Sequence, residues 1–282
     1  MNILTFDIED WFHILDNDAT RGEREWEGFP SRIHANTDRI LDELERGGRK
    51  ATFFCLGWVA RRYPEIVRAI DGRGHEIGSH SAMHQLVYEQ GAKEFRRDLR
   101  DSIAVLEDTI GGKVQSYRAP GFSITEHTPW AFEALCEAGI QRDSSVFPAP
   151  RAHGGFASFG AAEPVVIECG GMRLKEFPIN VATVLGRGLI FSGGGYFRLL
   201  PYALISRLMS ASPYVMTYFH PRDFDPGQPV LDSLPLTRRF KSYVGLRTAW
   251  RKLARLLDEF PCVDLRTADE AVDWGKVRVV GV

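Results

Sequence analysis

Residues 51–84 read ATFFCLGWVARRYPEIVRAIDGRGHEIGSHSAMH. Residues 51–56 are a continuous apolar run of strand length. Residues 64–70 carry helical spacing behind a proline, and Asp71-Gly72-Arg73-Gly74 stops that helix before residues 75–78 form a short strand. That strand delivers a polar stretch beginning at Ser79. Working outward, residues 3–6 read as a buried strand. Residues 31–45 place Ile33, Thr37, Ile40, Leu41 and Leu44 at helical spacing before Gly47-Gly48. On the other side, residues 92–110 repeat Phe95, Leu99, Ile103 and Leu106 as an amphipathic helix closed by Gly111-Gly112. A strand at 114–117, a helix at 129–138 and a strand near Asp143 continue the rhythm.

This alternation predicts an α/β fold, a parallel sheet with helices outside, closed or nearly closed into a barrel as one domain. The order is less regular after residue 148. Residues 148–171 read as loops with a short hairpin, residues 174–177 and 214–219 as strands, residues 243–260 as a basic amphipathic helix and residues 262–265 as a last strand.

The chain of 282 residues is 44% hydrophobic and 26% charged, which suits a globular core and excludes disordered, collagen-like and disulfide-scaffold classes. Lys+Arg 35 against Asp+Glu 37 leaves a net charge of -2, so no nucleic-acid partner is expected. No run approaches the roughly 18 apolar residues of a membrane span, and no basic leader precedes the first strand. The expectation is a cytoplasmic protein with no transmembrane segment. Cys55, Cys136, Cys169 and Cys262 are scattered singly, as buried free thiols would be.

In a barrel the strand ends converge, and here they carry Asp7, Glu9 and Asp10, then His80 and His84, then Arg118 and Pro120, then Asp143, and late in the chain His220. His80 and His84 are four apart, so one helical turn would bring both imidazoles to one side. With a carboxylate they make an open three-ligand site for Zn²⁺ or a similar divalent ion, with a fourth position for water.

Four motifs in register, Thr5-Phe6-Asp7-Ile8-Glu9-Asp10, His80-Ser81-Ala82-Met83-His84, Arg118-Ala119-Pro120 and His220-Pro221, resemble those of the polysaccharide deacetylase family, the family 4 carbohydrate esterases. Asp7-Ile8-Glu9-Asp10-Trp11-Phe12-His13, the segment 193–201 and the segment 218–226 resemble the exosortase and exopolysaccharide-associated branch. The resemblance implies a distorted (β/α) barrel of about seven parallel strands, with residues 1–282 as a single catalytic domain, and a metal-dependent N-deacetylase acting on N-acetyl amino sugars of a bacterial exopolysaccharide, surface glycan or precursor. In that reading Asp7 is the base, Arg118 orients it, and His220 is the acid. His80, His84 and an acid hold Zn²⁺, Co²⁺ or Ni²⁺. That family's common first motif has two adjacent aspartates, whereas Ile8 separates Asp7 from the next acids. Asp10 is preferred as the ligand, with Glu9 as the alternative because it shares the strand face of Asp7.

Substrate contacts are expected from Trp11, His13, Pro120 and Tyr196, and a backbone turn at Gly193-Gly194-Gly195 is expected close to a sugar. Asp143 and Asp223 read either as partners of an imidazole or as loop caps. The basic positions Arg247, Arg251, Lys252 and Arg255 read as a solvated face that also suits a membrane surface or lipid-linked substrate. Two other functions are compatible with the residues: a hydrolase of a cyclic ureide or formyl amide, and a glycan-binding module without catalysis.

Overall fold

The computed structural model describes residues 1–282 except 16, 152, 161 and 185. Its first half runs β1 (Asn2–Ile3), β2 (Thr5–Ile8), α1 (Glu23–Trp26), α2 (Ile33–Arg46), β3 (Thr52–Cys55), α3 (Gly57–Arg62), α4 (Pro64–Gly72), β4 (Glu76–Ser79), α5 (Ala92–Ile110), β5 (Ser116–Tyr117), α6 (Trp130–Glu137) and β6 (Arg142–Asp143). The second half runs β7 (Val165–Cys169), β8 (Met172–Glu176), β9 (Ala182–Val184), β10 (Arg187–Leu189), α7 (Gly194–Leu199), α8 (Tyr202–Ala211), β11 (Val215–Met216), α9 (Leu236–Tyr243), α10 (Leu246–Glu259), α11 (Leu265–Ala271) and β12 (Val279–Gly281).

β2, β3 and β4 are buried along their whole length, which is why they read as continuous apolar runs rather than alternating ones. Parallel pairing runs β2-β3-β4-β5-β6-β8, and the β7 arm of the hairpin lies antiparallel outside β8 with β12 beyond it. β1 leans the other way and pairs in parallel with β11. The β1–β2 run, β3, β4, β5, β6, β8 and β11 are thus the seven staves of a barrel. At the seam between β8 and β11 side chains replace the ladder. Tyr214 Oη donates to the Pro178 carbonyl at 2.7 Å, and the Met216 N–H donates to Asn180 Oδ1 at 3.2 Å. The distortion of the barrel lies at this seam. Outside, α2 buries Ile33, Thr37, Ile40, Leu41 and Leu44, and α5 buries Phe95, Leu99 and Leu106, the stripes expected from their spacing.

Three segments differ from expectation. Residues 262–265 make one bridge, Val263 to Ile3, and then enter α11, whose first turn is capped by the Asp264 carboxylate accepting from the Thr267 N–H. The basic helix expected from residue 243 begins at Leu246 instead, after Gly245 with φ 72°, where a Cβ would lie 2.3 Å from the Arg198 carbonyl oxygen, and a further helix, α9, precedes it. The glycines at 193–195 serve the chain's own packing. Gly193 bridges Tyr218, a Cβ there would sit 2.1 Å from the Tyr218 carbonyl oxygen, and one on Gly195 would sit 2.9 Å from that of Lys241. Gly193→Ala must push two backbones apart and is expected to cost about 2 kcal/mol of stability, read as a lower urea midpoint; an unchanged midpoint would refute this account of the triplet.

Candidate metal and catalytic site

Side chains on a strand alternate in direction, so Thr5, Asp7 and, one step past the end of β2, Glu9 share a face. All three project toward Arg118 or the histidines, while Phe6 and Ile8 pack outward into the hydrophobic core. Arg118, fully buried at the end of β5, donates from Nη1 to Thr5 Oγ1 and Asp7 Oδ1, both at 2.7 Å. Its Nε and Nη2 reach the Ser144 carbonyl and hydroxyl beyond β6. The expected ion pair between Arg118 and Asp7 is present.

The histidine segment follows β4 without forming a helical turn. Ser81 (φ 71°) and His84 (φ 54°) take left-handed backbone conformations that non-glycine residues disfavour, and these fold the two imidazoles together. The strained turn is held from both sides. The Gly57 and Trp58 N–H groups at the start of α3 donate to the Ser81 and Ala82 carbonyls. From α5, Asp98 accepts from the Ala82 N–H and Ser102 Oγ donates to the Ser81 carbonyl. Sequence reasoning missed Asp98 and Ser102, although two polar residues on the buried stripe of an amphipathic helix are the signal that marks them.

One ligand atom each from Glu9, His80 and His84 lies within 4.8 Å of the others, all three residues being buried. His80 Nδ1 is 2.8 Å from the Arg118 carbonyl oxygen, so that nitrogen carries the proton and Nε2 keeps its lone pair for the cluster. Burial lowers the His80 pKa to about 4 against the pull of Asp7 and Glu9, so the ring is neutral at pH 7. Glu9 Oε2 lies 2.6 Å from His84 Nε2 but is not aligned as a hydrogen bond and has no partner of that kind. Burial would raise the Glu9 pKa, but His84 and His220 hold it well below the carboxylate range. Two imidazole nitrogens and a carboxylate oxygen within 4.8 Å of one another fit a divalent cation with open positions.

Asp10, the preferred ligand on sequence grounds, is elsewhere. Its carboxylate accepts from the Trp11 and Arg32 N–H groups and from Ser31 Oγ, tying the strand end to the start of α2. Glu9 takes the place assigned to Asp10 because the alternation of β2 continues for one more residue.

His220 reaches the cluster from the far half of the chain. Its Nε2 is 3.3 Å from Glu9 Oε1 and 3.8 Å from Asp7 Oδ2. Its Nδ1 is 3.0 Å from Asp223 Oδ2, and that oxygen also accepts from the His220 N–H. Burial depresses the His220 pKa, but Asp223, Glu9 and Asp7 outweigh it and raise it to about 9. Asp223 is gripped in turn by Arg198 Nε at 3.0 Å. Asp223 is therefore an imidazole partner, and Arg198, within a segment singled out by resemblance alone, is its anchor. Asp143 is not such a partner. It faces Glu176 across β6 and β8, accepts from Ser145 Oγ at 2.5 Å, and is pushed up to about 6 by burial; burial and Asp143 together raise Glu176 further.

The expected substrate contacts divide. Trp11 is buried, donates from Nε1 to the Pro30 carbonyl and packs edge-on to Phe12 and Phe29, so it is core. Pro120 is buried at the first position of a short 3-10 helix, whereas Tyr196 is 41% exposed on α7. His13 accepts at Nδ1 from the Asp10 N–H, and burial lowers its pKa to about 3. It lines a cavity of about 380 Å³ together with Leu15, Trp26, His84, Gln85 and Gln90. Its Nε2–H is buried without a hydrogen-bond partner.

Residues 3–140 match the family described as polysaccharide deacetylase, and residues 144–269 match a domain of unknown function, DUF3473. Residues 3–140 thus carry the polysaccharide deacetylase domain. A peptidoglycan-N-acetylglucosamine deacetylase of Bacillus cereus is 35% identical over 98 residues, which cover 34% of this chain and 36% of that one. The match thus spans about a third of that relative. Among solved structures, a Mycobacterium smegmatis protein classed with the polysaccharide deacetylases has a TM-score of 0.65 at 22% identity, over 98% of this chain and 90% of that one. A family 4 pseudoenzyme of Bacillus anthracis has a TM-score of 0.51 at 14% identity, over 99% and 66%. These likenesses show the deacetylase fold. Because a pseudoenzyme shares it, the chemistry of this chain rests on its own residues.

Two outcomes follow from this geometry. In Zn²⁺ titrations followed by calorimetry, Glu9→Gln and His84→Ala are expected to weaken binding by more than about a hundredfold, beyond what loss of an outer partner costs, and Asp10→Asn to leave it nearly unchanged. Equal losses for Glu9→Gln and Asp10→Asn would return Asp10 to the ligand set. The Asp143–Glu176 pair supplies the second. Carboxyls whose folded pKa is raised contribute stability below the unfolded value, near 4, that is lost as pH rises through the folded value, about 6 for Asp143. The melting temperature is expected to fall from pH 5 to pH 8, and Glu176→Gln to flatten that fall; an identical slope in the variant would show that the pair carries none of it.

Proposed function

We propose that this protein is a metal-dependent N-deacetylase that removes acetyl groups from amino sugars of a bacterial exopolysaccharide or surface glycan, including forms still attached to a lipid carrier. The observation that carries the reading is the convergence of three arms on one point: Glu9, His80 and His84; Asp7 held by Arg118; and His220 held by Asp223. The relatives named as peptidoglycan and chitooligosaccharide deacetylases support an acetylated sugar over a ureide or formyl amide. Zn²⁺ is the proposed ion, with Co²⁺ or Ni²⁺ able to use the same donors. We also propose that the two matched segments form one catalytic unit, because Glu9 belongs to the first and His220 to the second.

An acetamide needs an activated water, a sink for oxyanion charge and a proton for the departing amine. Glu9, His80 and His84 would hold a divalent ion, whose contribution when bound would be a lower pKa for water and polarisation of the acetyl oxygen. Asp7 does the work of the base. Its Oδ1 is committed to Arg118, which leaves Oδ2, on the His220 side, to take the proton from water. His220 gives the amine its proton from Nε2, since Nδ1–H is held by Asp223. Arg118 fixes the base in place through its hydrogen bond to Oδ1.

The test is acetate release from N-acetylglucosamine oligomers by metal-loaded protein. Asp7→Asn is expected to lower kcat by about 10²- to 10⁴-fold with metal content unchanged. Near wild-type turnover in that variant removes Asp7 as the base, and an inactive, metal-replete wild type across acetylated hexosamines would place this chain with the pseudoenzymes.

A further inference from the structure

α9 is built the wrong way round for a helix resting on a soluble protein. None of its eight residues is buried, and Leu236 and Phe240, four apart and so on one face, are 83% and 58% exposed. The side that meets the protein carries Arg238 and, at the last position, Tyr243, whose ring packs on the core. Arg238 donates to the Leu15 carbonyl at 2.7 Å, and the Lys241 and Ser242 carbonyls accept from Arg198. The neighbouring α7 adds exposed Tyr196 and Leu199. From Leu236 to Leu257 the sequence holds seven cations, Arg238, Arg239, Lys241, Arg247, Arg251, Lys252 and Arg255, and no acid, within a chain whose net charge is -2. Of these, Lys252 is spent inside the protein, where Nζ collects the Phe197, Arg198 and Leu200 carbonyls. Arg239, Lys241, Arg247, Arg251 and Arg255 are exposed, Arg239 pairing with Asp232 at 3.3 Å and Arg255 with Glu259 at 2.6 Å.

We propose that α9 and the adjoining end of α7 are a docking surface for an anionic lipid bilayer, with Leu236 and Phe240 entering the boundary between headgroups and acyl chains and the cations meeting the lipid phosphates. Large apolar side chains bordered by Lys and Arg are the composition of an interfacial helix. A second copy of the chain fits less well, because a twofold contact through this face would set like charges against each other. No helix among the described residues is long and apolar enough to cross a membrane. Position gives the surface its use. Leu15, which anchors α9, lines the cavity beside His13 and His84, and Arg198, which holds the other end of α9, anchors Asp223 behind His220. A bilayer seated on α9 lies at the rim of the cleft, where a lipid-linked glycan would be presented. That use rests on the deacetylase reading, but the surface itself does not.

The experiment is sedimentation of the full chain with vesicles of phosphatidylcholine, alone or with roughly a third phosphatidylglycerol. Sedimentation with the anionic vesicles only, reversed by high salt, is expected. The variants Leu236→Ser with Phe240→Ser, and Arg247→Glu with Arg251→Glu, should each weaken it by about tenfold or more while acetate release from soluble oligomers stays at the wild-type rate. Wild type that ignores anionic vesicles, or variants that bind them as well as wild type, overturn the proposal. A dimer in sedimentation velocity that Leu236→Ser with Phe240→Ser dissociates, without vesicle binding, hands the face to a second copy. Absence of acetate release with vesicle binding intact would defeat the catalytic reading alone.

Discussion

A single buried guanidinium organises this molecule. Arg118 sits inside the barrel with no exposed surface, where an unpaired charge is prohibitively unfavourable. Its partners therefore had to be supplied from neighbouring staves, Thr5 and Asp7 from β2 and Ser144 from the end of β6. Its own carbonyl fixes the His80 tautomer. The same residue thus compels the inward face of β2 to be polar, holds one carboxylate in a defined orientation and turns one imidazole so that its free nitrogen faces the cluster. Behind it, the Asp143–Glu176 pair is held partly protonated by burial, which keeps excess negative charge from competing with Asp7 for the guanidinium.

The three acids at 7, 9 and 10 show how one short segment distributes roles by geometry alone. Asp7 and Glu9 are two apart and fall on the inner face; Asp10 is out of phase and closes the loop to α2. Chemically the three are near-equivalent. Direction, set by the strand period, separates a carboxylate paired with arginine, one available to a cation and one that is a structural cap.

Much of this was legible in the sequence. The strand and helix periods located β2, β3, β4 and α5 closely, because each is a strongly patterned element whose burial follows its spacing. The histidines, Arg118 and His220 could be found as strand-end residues. What stayed hidden depends on long-range contacts. The turn at Ser81 and His84 is left-handed only because α3 and α5 hold it, and spacing alone suggested a helical turn. The Gly193–Gly195 triplet looked like a ligand loop, whereas the backbone it must approach belongs to Tyr218 and Lys241, remote in sequence. Trp11 was indistinguishable from a sugar-stacking residue until Pro30 was seen to take its indole N–H.

The second half of the chain is where pattern was weakest, and it supplies the most remote part of the site. His220 is oriented by Asp223, Asp223 by Arg198, and Arg198 by the carbonyls at the end of α9, so an imidazole in the centre is tied through two side chains to a helix on the surface. Buried arginines are well suited to this because one planar fork satisfies several acceptors at once. Arg198 spans Asp223 on one side and three backbone carbonyls on the other, and Gly245 must be glycine-like in conformation for the chain to pass close to the Arg198 backbone. A displacement of α9 cannot be absorbed locally without breaking one of these bonds. The position of His220 relative to Glu9 and Asp7 is consequently coupled to whatever α9 rests upon.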